Sequence, residues 1–485
     1  MTDSQTELFR EHAYVGGRWI DAADQARRAV DNPANGETIG HIPDLEPNRL
    51  QGAIDAADAA FTRWRETPVT TRADKLLAWY DGMQQNREAL AQLMTREQGK
   101  PIAEARGEVD YAASFIRWFA EEGRRSNGVN IPAENADMAL GTVEEPVGVV
   151  GVITPWNFPL AMITRKAAAA LAAGCSVVVK PASETPFSAL ALAALAEQAG
   201  LDDGQFNVVT GDAERVSKAL CDDPRVRALS FTGSTPIGRQ LLRDGAATVK
   251  RMSMELGGNA PFIVCEDADL DSAVDSAIAA KFQTSGQDCV AANRLFVHRD
   301  LYDAFVDRFV ERMNAMTVGN GADEASEIGP LIHERAVEKA QALADEAESQ
   351  GARVFGRAQA KAPGPRYFMP TLLADITPDM RIFSEEAFAP LAAVCAFDDD
   401  DDVIAQANDT EYGLAAYVHT HSDARIRKFM RALDYGMVGV NTMDITGPHV
   451  PFGGMKQSGL GREGAHAGMQ EYLETKYYCL GGVPV

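Results

Sequence analysis

Cys289 is the residue whose setting in this sequence most strongly suggests reactivity. It follows the loop-like stretch SGQD at 285–288, which comes after a segment with helical spacing. A cysteine thiolate is a nucleophile, so this thiol could form a covalent intermediate with a substrate. The alternative is a buried structural cysteine, which is the commoner role for a single cysteine.

Four further polar groups stand directly after segments that have the pattern of buried strands. These groups are TPWN at 154–157, Lys180, TGS at 232–234 and ELGG at 255–258. In parallel sheets, ligands bind outside the carboxyl ends of the strands. Because all four groups share that edge, we expect them to form one site.

The elements that position these groups alternate between strand and helix. Runs of β-branched residues predict buried strands, and apolar segments closed by Gly174 and Gly200 predict helices between them. This alternation predicts an α/β fold with a parallel, doubly wound sheet. The predicted strands are 147–153, 176–179, 206–209, 228–231 and 249–254, and the predicted helices are 161–173, 186–199, 213–220 and 236–244.

Helices are also predicted before this sheet, and a second α/β block after it. Residues 53–125 have helical spacing, with breaks near Pro68, Gly99 and Gly123. The block 270–451 again mixes helices and strands and contains the candidate cysteine.

Length and composition indicate a globular protein of several domains. The chain has 485 residues, with 46% hydrophobic and 24% charged residues. No apolar run approaches the ~20 residues that span a bilayer. The polar, acidic start at 1–11 lacks the features of a secretory signal. We therefore expect a cytoplasmic protein without a membrane partner.

Charge and cysteine usage disfavour two further kinds of partner. The net charge of -24 would repel nucleic acid over most of the surface. The six cysteines are scattered without a C-x-x-C pair, which argues against a zinc site and a disulfide framework, and we expect no metal. The acidic run 398–402 is predicted to be a solvated turn.

Seven motifs, taken in order, resemble those of the aldehyde dehydrogenase superfamily over nearly the whole chain. They are TPWNFP at 154–159, KPASE at 180–184, FTGS at 231–234, ELGGN at 255–259, GQDC at 286–289, EEAF at 385–388 and PFGG at 451–454. Within the superfamily, the chain is most similar to succinate-semialdehyde dehydrogenases. The motifs that carry this closer similarity are ITRK at 163–166, NR at 293–294 and FGGMKQSG at 452–459.

The resemblance implies a catalytic role for three residues. Cys289 would attack the aldehyde to give a thiohemiacetal and later a thioester. Glu255 would act as the general base that activates water for thioester hydrolysis, and Asn157 would donate to the oxyanion together with the Cys289 backbone N–H. The alternative roles are a surface carboxylate at a strand end for Glu255, which its place before two glycines disfavours, and a turn residue for Asn157.

The resemblance also implies a site for a nicotinamide dinucleotide. Lys180 would hold the adenosine ribose, Gly233 and Ser234 would lie near the pyrophosphate at a helix N-terminus, and Glu386 and Phe388 would hold the nicotinamide ribose and ring. Lys180 could instead be a strand end that reaches solvent. The full set of expected cofactor contacts is Thr154, Pro155, Trp156, Lys180, Ser183, Glu184, Gly233, Ser234, Glu386 and Phe388.

Ser183 bears on the choice of dinucleotide. Relatives that strongly prefer NAD carry glutamate there, and a carboxylate would repel a 2′-phosphate. Serine can donate to that phosphate, and Lys180 adds positive charge. We therefore predict the use of NADP, with NAD as well.

Three residues match the substrate contacts of the succinate-semialdehyde enzymes: Arg165, Arg294 and Thr446. Guanidinium groups suit the distal carboxylate of succinic semialdehyde, although each could be a structural ion pair. Asp444 departs from the family pattern and would repel that carboxylate if it faced the pocket. Asp288 would disfavour the Cys289 thiolate if it pointed inward.

These departures leave other anionic or polar aldehydes open, such as glutaric semialdehyde or a sulfonated aldehyde. Formation of acyl-coenzyme A is disfavoured because acylating relatives generally lack the Glu255 base. A member of the fold without catalysis is disfavoured because Asn157, Glu255 and Cys289 are all present.

The resemblance further implies the domain organisation. We expect a dinucleotide-binding domain at 1–123 and 146–256, a catalytic domain at 257–460, and a small β oligomerisation arm at 124–145 and 461–485. Such an arm predicts a homodimer or homotetramer.

Overall fold

A computed structural model describes residues 8–356 and 362–482 of the chain. The predicted domain limits at residues 1 and 485 lie outside the described residues. The strands in the described part are β1 (Ala13–Val15), β2 (Arg18–Ile20), β3 (Arg27–Asp31), β4 (Thr38–Pro43), β5 (Asn130–Ile131), β6 (Met138–Pro146), β7 (Val149–Ile153), β8 (Ser176–Lys180), β9 (Phe206–Val208), β10 (Val226–Thr232), β11 (Arg251–Glu255), β12 (Ala260–Val264), β13 (Ala292–His298), β14 (Arg353–Phe355), β15 (Thr371–Ala374), β16 (Leu391–Phe397), β17 (Ala415–His419), β18 (Met437–Val440), β19 (Gly459–Leu460) and β20 (Leu473–Gly481).

Helices cover both faces of the two large sheets. They are α1 (Pro47–Trp64), α2 (Val69–Gln85), α3 (Arg87–Gln98), α4 (Ile102–Glu122), α5 (Ala161–Ala173), α6 (Pro186–Gln198), α7 (Ala213–Asp222), α8 (Thr235–Gly245), α9 (Leu270–Phe282), α10 (Arg299–Ala315), α11 (Glu334–Ser349), α12 (Arg381–Ser384), α13 (Asp400–Asn408), α14 (Asp423–Ala432) and α15 (Ala465–Gln470), with short 3-10 turns at Gly123–Arg125, Ala246–Thr248, Gln283–Gly286 and Lys456–Ser458.

The first large sheet has the strand order β19-β11-β10-β7-β8-β9-β1-β2. Strands β7 to β11 run parallel, with β8 on one side of β7 and β10 on the other. Strands β8 and β9 are therefore added on one side of β7, and β10 and β11 on the other. The residues that follow β7 and β10 flank the crevice at this switch in strand order. Helix α5 is buried along its whole length against this sheet. The predicted doubly wound α/β fold is confirmed.

The second large sheet positions the loop that carries Cys289. Its order is β14-β15-β16-β13-β12-β17-β18, and its pairs are parallel except for β14 with β15. Strand β13 is buried over six of its seven residues. The cysteine lies between α9 and β13, so the loop is anchored at both ends by buried elements.

A three-stranded sheet, β20-β6-β5, projects from these layers. Strand β20 pairs with β6 in antiparallel register from Leu473 opposite Pro146 to Gly481 opposite Met138. The two segments predicted to form an arm therefore pair with each other, although they lie more than 300 residues apart, as the Thr475–Glu144 contact shows with its separation of 331.

The predicted and observed elements differ in two places. The predicted helical region breaks at Asn86 as well, where α2 ends and α3 begins. The prediction of a turn at 398–402 is wrong: Asp399 caps α13 by accepting from the backbone N–H groups of Asp401 and Asp402. Carboxylates stabilise a helix N-terminus, which explains this acidic run. In the described residues, no helix is long and apolar enough to cross a membrane.

Candidate active site

The backbone before Cys289 adopts a conformation that side chains rarely take. Thr284 and Ser285 have φ values of 50° and 58°, and Gly286 has 71°. Each non-glycine residue in this region costs about 1–3 kcal/mol, so surrounding contacts must hold it. The Thr284 N–H donates to Glu104 at 2.8 Å, and the Ser285 hydroxyl accepts from the Gly329 N–H at 2.9 Å. The turn presents the cysteine between the two large sheets.

Cys289 lines two cavities at once. One cavity, of about 250 Å³, also contains Asn157, Gly233 and Glu386, and we call it the cofactor-side cavity. The other, of about 330 Å³, also contains Arg165, and we call it the aldehyde-side cavity. A substrate that is bonded to the sulfur in one cavity can therefore be reached by a ligand in the other cavity.

The environment of Cys289 favours the neutral thiol in this state. Burial raises its pKa well above the ordinary value, and the Asp288 carboxylate raises it further, while Arg165 lowers it. Asp288 is 7% exposed and lines the aldehyde-side cavity, so it does point inward. Formation of the thiolate at neutral pH therefore requires a proton acceptor or a change in the local charge.

Glu255 ends β11 and is 2% exposed. Neither of its carboxylate oxygens has a hydrogen-bond partner among the described residues. Burial raises its pKa well above the ordinary value, and the neighbouring Glu463 charge adds to the shift. A raised pKa makes the carboxylate a stronger base than an ordinary glutamate, and its unpartnered oxygens are free to accept a proton, as a general base must.

Asn157 follows β7 and is buried beside the nucleophile loop. Its side-chain nitrogen donates to the Gln287 carbonyl at 3.0 Å, and its side-chain oxygen has no partner in the described part of the chain. That contact uses one of the two amide N–H bonds, so the other can donate to an oxygen on the substrate.

The residues around the cofactor-side cavity suit a nicotinamide dinucleotide. Ser234 is the N-cap of α8, whose free N–H groups favour a phosphate. The Trp156 and Phe388 rings meet edge to face with centroids 5.6 Å apart. The buried hydroxyl of Thr232 lacks a partner in the described residues. An aromatic pair, an anion-binding helix end and an unpartnered hydroxyl together fit such a ligand.

Glu386, one of the predicted cofactor contacts, has a raised pKa because it is buried. Glu386 accepts from the Gly258 N–H at 3.3 Å, and burial raises its pKa to about 7. The predicted contacts that line the cofactor-side cavity are Pro155, Trp156, Gly233, Ser234, Glu386 and Phe388.

Four predicted cofactor contacts lie on the same sheet edge but outside that cavity. The Thr154 N–H donates to the Lys180 carbonyl at 3.2 Å, which joins the ends of β7 and β8. The Lys180 ammonium donates to the Pro181 carbonyl at 2.6 Å, and burial lowers its pKa to about 8. Glu184 contacts His333 at 3.0 Å, and Ser183 is half-buried beside it.

Arg165 reaches the aldehyde-side cavity from α5. It is 2% exposed and forms an ion pair with Glu463, which also pairs with Lys166. One terminal nitrogen of Arg165 has no hydrogen-bond partner among the described residues. Its guanidinium carbon lies 4.2 Å from the Phe452 ring centroid. The ring and the ion pair fix the cation, while the free nitrogen can bind an anion.

The prediction that Arg294 contacts the substrate is wrong, because its side chain is tied to backbone groups away from both cavities. Its terminal nitrogens donate to the carbonyls of Asn259, Gln406 and Ala407 at 2.9–3.2 Å and to the Tyr435 hydroxyl at 2.8 Å. Residue type alone cannot separate a buried structural arginine from a ligand-binding one. Arg294 stabilises the fold.

Several cavity residues are missing from the sequence prediction. Lys100, which precedes α4, and Glu104, Glu108 and Tyr111, which lie on it, line the aldehyde-side cavity. The spacing of four and three from Glu104 to Tyr111 places these three residues along one helical face, and polar residues on a face that is otherwise buried are the signal that could reveal them. Gln283 also lines this cavity and has no such signal. Thr446 and Asp444 lie at its exposed side.

Comparison with known proteins agrees with this geometry. The sequence model of the aldehyde dehydrogenase family matches residues 19–478. The non-phosphorylating aspartate-semialdehyde dehydrogenase of Halomonas elongata is 61% identical over 99% of this chain and 97% of its own length. The NADP+ succinate-semialdehyde dehydrogenase of Escherichia coli is 51% identical over 99% of each chain.

A solved structure supports the same assignment. The crystal structure of an NADP-dependent enzyme of E. coli superposes with a TM-score of 0.97 at 51% identity, covering 98% of this chain and 99% of that one. The predicted relationship to aldehyde dehydrogenases, with succinate-semialdehyde dehydrogenases among the similar proteins, is confirmed. This chain belongs to the aldehyde dehydrogenase family.

Proposed function

We propose that the protein oxidises a short aldehyde with a distal carboxylate to the acid, with Cys289 as nucleophile and NADP or NAD as oxidant. The observation that carries this proposal is the position of Cys289 on both cavities. An aldehyde carbon bonded to its sulfur would be held on one side by the residues of the aldehyde-side cavity. The other side would remain open to the dinucleotide.

The first step is addition of the sulfur to the aldehyde carbon, as the S–H bond breaks and the thiol proton passes to a water molecule. The free N–H of Asn157 and the Cys289 backbone N–H donate to the oxygen that gains negative charge, and one such donor is worth roughly 3 kcal/mol. The bound dinucleotide supplies the acceptor for the hydride that leaves the carbon, and a thioester on Cys289 remains.

Glu255 completes the reaction. Its unpartnered carboxylate accepts a proton from a water that attacks the thioester carbon, and the C–S bond breaks to release the acid and the cysteine. This base is also the reason to reject acyl transfer to coenzyme A, which would need no activated water. A protein without catalysis has no use for the combination of Cys289, Glu255 and Asn157.

Arg165 supports a carboxylate on the substrate, since this residue lines the aldehyde-side cavity and one of its terminal nitrogens has no hydrogen-bond partner among the described residues. Succinic semialdehyde fits this chemistry, and so do glutaric semialdehyde and a sulfonated aldehyde. Two similar proteins are named for aspartate semialdehyde and succinate semialdehyde, which share a four-carbon chain and a carboxylate.

Ser183 and Lys180 support NADP as the preferred dinucleotide, with NAD as a second oxidant. Neither side chain places a negative charge where a 2′-phosphate would lie, and Lys180 contributes a cation at the end of β8. The E. coli relative is named for NADP+.

The small sheet supports a homodimer or homotetramer. Its strands and the loop beside them expose large apolar side chains, and such surfaces commonly mark an interface. They are Val129, Ile131, Val143, Tyr477 and Leu480. Light scattering should give a mass of two or four chains, and a monomer mass would refute this part of the proposal.

The decisive experiment follows dinucleotide reduction by absorbance with succinic semialdehyde and either NADP or NAD. Cys289→Ala should lower turnover on the order of a thousandfold or more. Cys479→Ala is the matched control, because this cysteine is exposed on β20. Full activity in the Cys289 variant would overturn the mechanism.

A further inference from the structure

The aldehyde-side cavity carries more negative than positive charge. Its lining includes the carboxylates of Glu104, Glu108, Asp288 and Asp444 and the cations Lys100 and Arg165. A cavity that binds only a carboxylate should have the opposite balance, because like charges raise the free energy of binding.

Ion pairing within the protein does not remove this excess. Lys100 pairs with Glu108, and both side chains are 1% exposed. Arg165 is paired with Glu463. Among the described residues, Glu104, Asp288 and Asp444 make no ion pair with a protein cation. Glu104 already accepts from the Thr284 N–H at 2.8 Å. Asp288 and Asp444 line the cavity without a paired cation in the described residues, so a ligand can supply one.

Of Glu104, Asp288 and Asp444, the least solvent-exposed is Asp288. It is 7% exposed, precedes Cys289 directly, and accepts hydrogen bonds from the Val290 N–H at 3.1 Å and from the Cys289 thiol. Burial raises its pKa because the charged form is poorly solvated there, while the charges of Lys100 and Arg165 lower it without forming an ion pair with it among the described residues. A buried carboxylate without a paired cation is costly, and a cationic ligand group would stabilise it.

Arg165 supplies the complementary charge in the same cavity. Its side chain is 2% exposed, and one terminal nitrogen lacks a partner among the described residues. The cavity thus offers a cation from α5 and a carboxylate from the nucleophile loop. A ligand that carries both an ammonium group and a carboxylate satisfies both, whereas a simple dicarboxylic semialdehyde satisfies only Arg165.

We propose that the substrate is an α-amino semialdehyde, with its carboxylate on Arg165 and its ammonium group on Asp288. Asp444, at the exposed side of the cavity, adds attraction for the cation. This inference rests on the proposed function and narrows it to one substrate class. It also gives Asp288 and Asp444 a role, since each would repel the carboxylate of an unsubstituted semialdehyde.

The test compares two substrates that differ only by the α-amino group: L-aspartate semialdehyde and succinic semialdehyde. The measured quantity is the ratio of their kcat/KM values with NADP. Changes in the thiolate fraction of Cys289 affect both substrates equally and cancel in this ratio. We expect the wild-type ratio to exceed about ten, because a charge-assisted hydrogen bond typically contributes that factor or more.

Asp288→Asn should lower this ratio about tenfold or more, since it removes the charge and keeps the side-chain shape. Asp307→Asn, on the exposed face of α10, is the matched control and should keep the wild-type ratio. A wild-type ratio below one, or an Asp288→Asn ratio within threefold of the wild-type value, would overturn the inference.

A second measurement needs no variant. L-aspartate should inhibit wild-type oxidation of succinic semialdehyde more strongly than succinate does, because only aspartate carries the ammonium group. Equal or weaker inhibition by aspartate would contradict the inference. If the protein oxidises succinic semialdehyde but not L-aspartate semialdehyde, the amino-group contact is refuted and the proposed function stands. If folded protein oxidises neither aldehyde, the proposed function itself is refuted.

Discussion

Gly258 and Cys289 are in direct contact: a methyl group on residue 258 would overlap the Cys289 carbonyl oxygen. The turn after β11 therefore sets the position of the nucleophile loop. We expect Gly258→Ala to displace the sulfur and to lower kcat roughly a hundredfold, as a displacement near 1 Å can do. Gly52→Ala is the matched control, because a Cβ there meets nothing within 4 Å. Equal kcat values for the two variants would contradict this prediction.

Because Glu255 is assigned to thioester hydrolysis, its substitution should slow hydrolysis and leave formation of the thioester intact. Glu255→Gln should retain a first burst of reduced dinucleotide, because the thioester still forms. Steady-state turnover should fall about a hundredfold, because water is no longer activated. Stopped-flow absorbance separates the two phases, with Glu311→Gln on the exposed surface of α10 as the control. Loss of the burst would instead mean that Glu255 acts before the thioester is made.

The raised pKa of Cys289 predicts how its alkylation depends on pH. Because burial and Asp288 both disfavour the thiolate, the rate of inactivation by iodoacetamide should keep rising well into the alkaline range. Asp288→Asn removes a like charge, so it should lower the pKa and move the curve to lower pH. The Asp307→Asn curve should match that of the wild type. An unchanged curve in Asp288→Asn would show that its carboxylate does not influence the thiol.

A substitution of Ser183 should change the preference of the enzyme between NADP and NAD. Ser183→Glu should raise the KM for NADP about tenfold or more, because a carboxylate near the end of β8 repels a 2′-phosphate. The KM for NAD, which lacks that phosphate, should change far less. Ser183→Ala separates loss of the hydroxyl from the added charge. Equal effects of the glutamate on both dinucleotides would contradict the assigned position of the phosphate.

We predict that substitution of Arg294 lowers the stability of the fold and does not act through substrate binding. Arg294→Met leaves buried carbonyls without donors and should lower the free energy of unfolding by about 3 kcal/mol, measured by thermal or denaturant unfolding. Arg165→Met should instead raise the KM for a carboxylate-bearing aldehyde. A stable Arg294 variant with a raised KM would restore the original prediction for this residue.

The fold is predictable where local sequence and burial agree. Strands β7 and β8 are short apolar runs that end at polar residues, and Gly174 has the positive φ of 104° that a helix C-terminus favours. The break at Asn86 is not predictable in the same way. No proline or glycine marks it, and one residue separates the two helices.

The site is predictable from sequence only for residues that stand at strand ends or in motifs. Asn157 and Cys289 line the same cavity because the topology brings their loops together, and Glu255, at the end of β11, lies outside both cavities but near enough for its charge to act on Cys289. The position of Arg294 depends on packing between distant segments, such as its contact with Tyr435 141 residues away. Glu104 and Glu108 are absent from the prediction for the same reason, since a helix pattern does not show which cavity its buried face adjoins.

The pairing of Lys166 with Glu463 joins residues 297 positions apart. During synthesis, a growing chain holds Lys166 and Arg165 without their shared counter-charge until residue 463 has been made. The first large sheet depends on the same part of the chain, because its edge strand β19 lies at Gly459–Leu460. Completion of the sheet and neutralisation of the cations behind the aldehyde-side cavity therefore both wait for a segment made about 300 residues after Lys166.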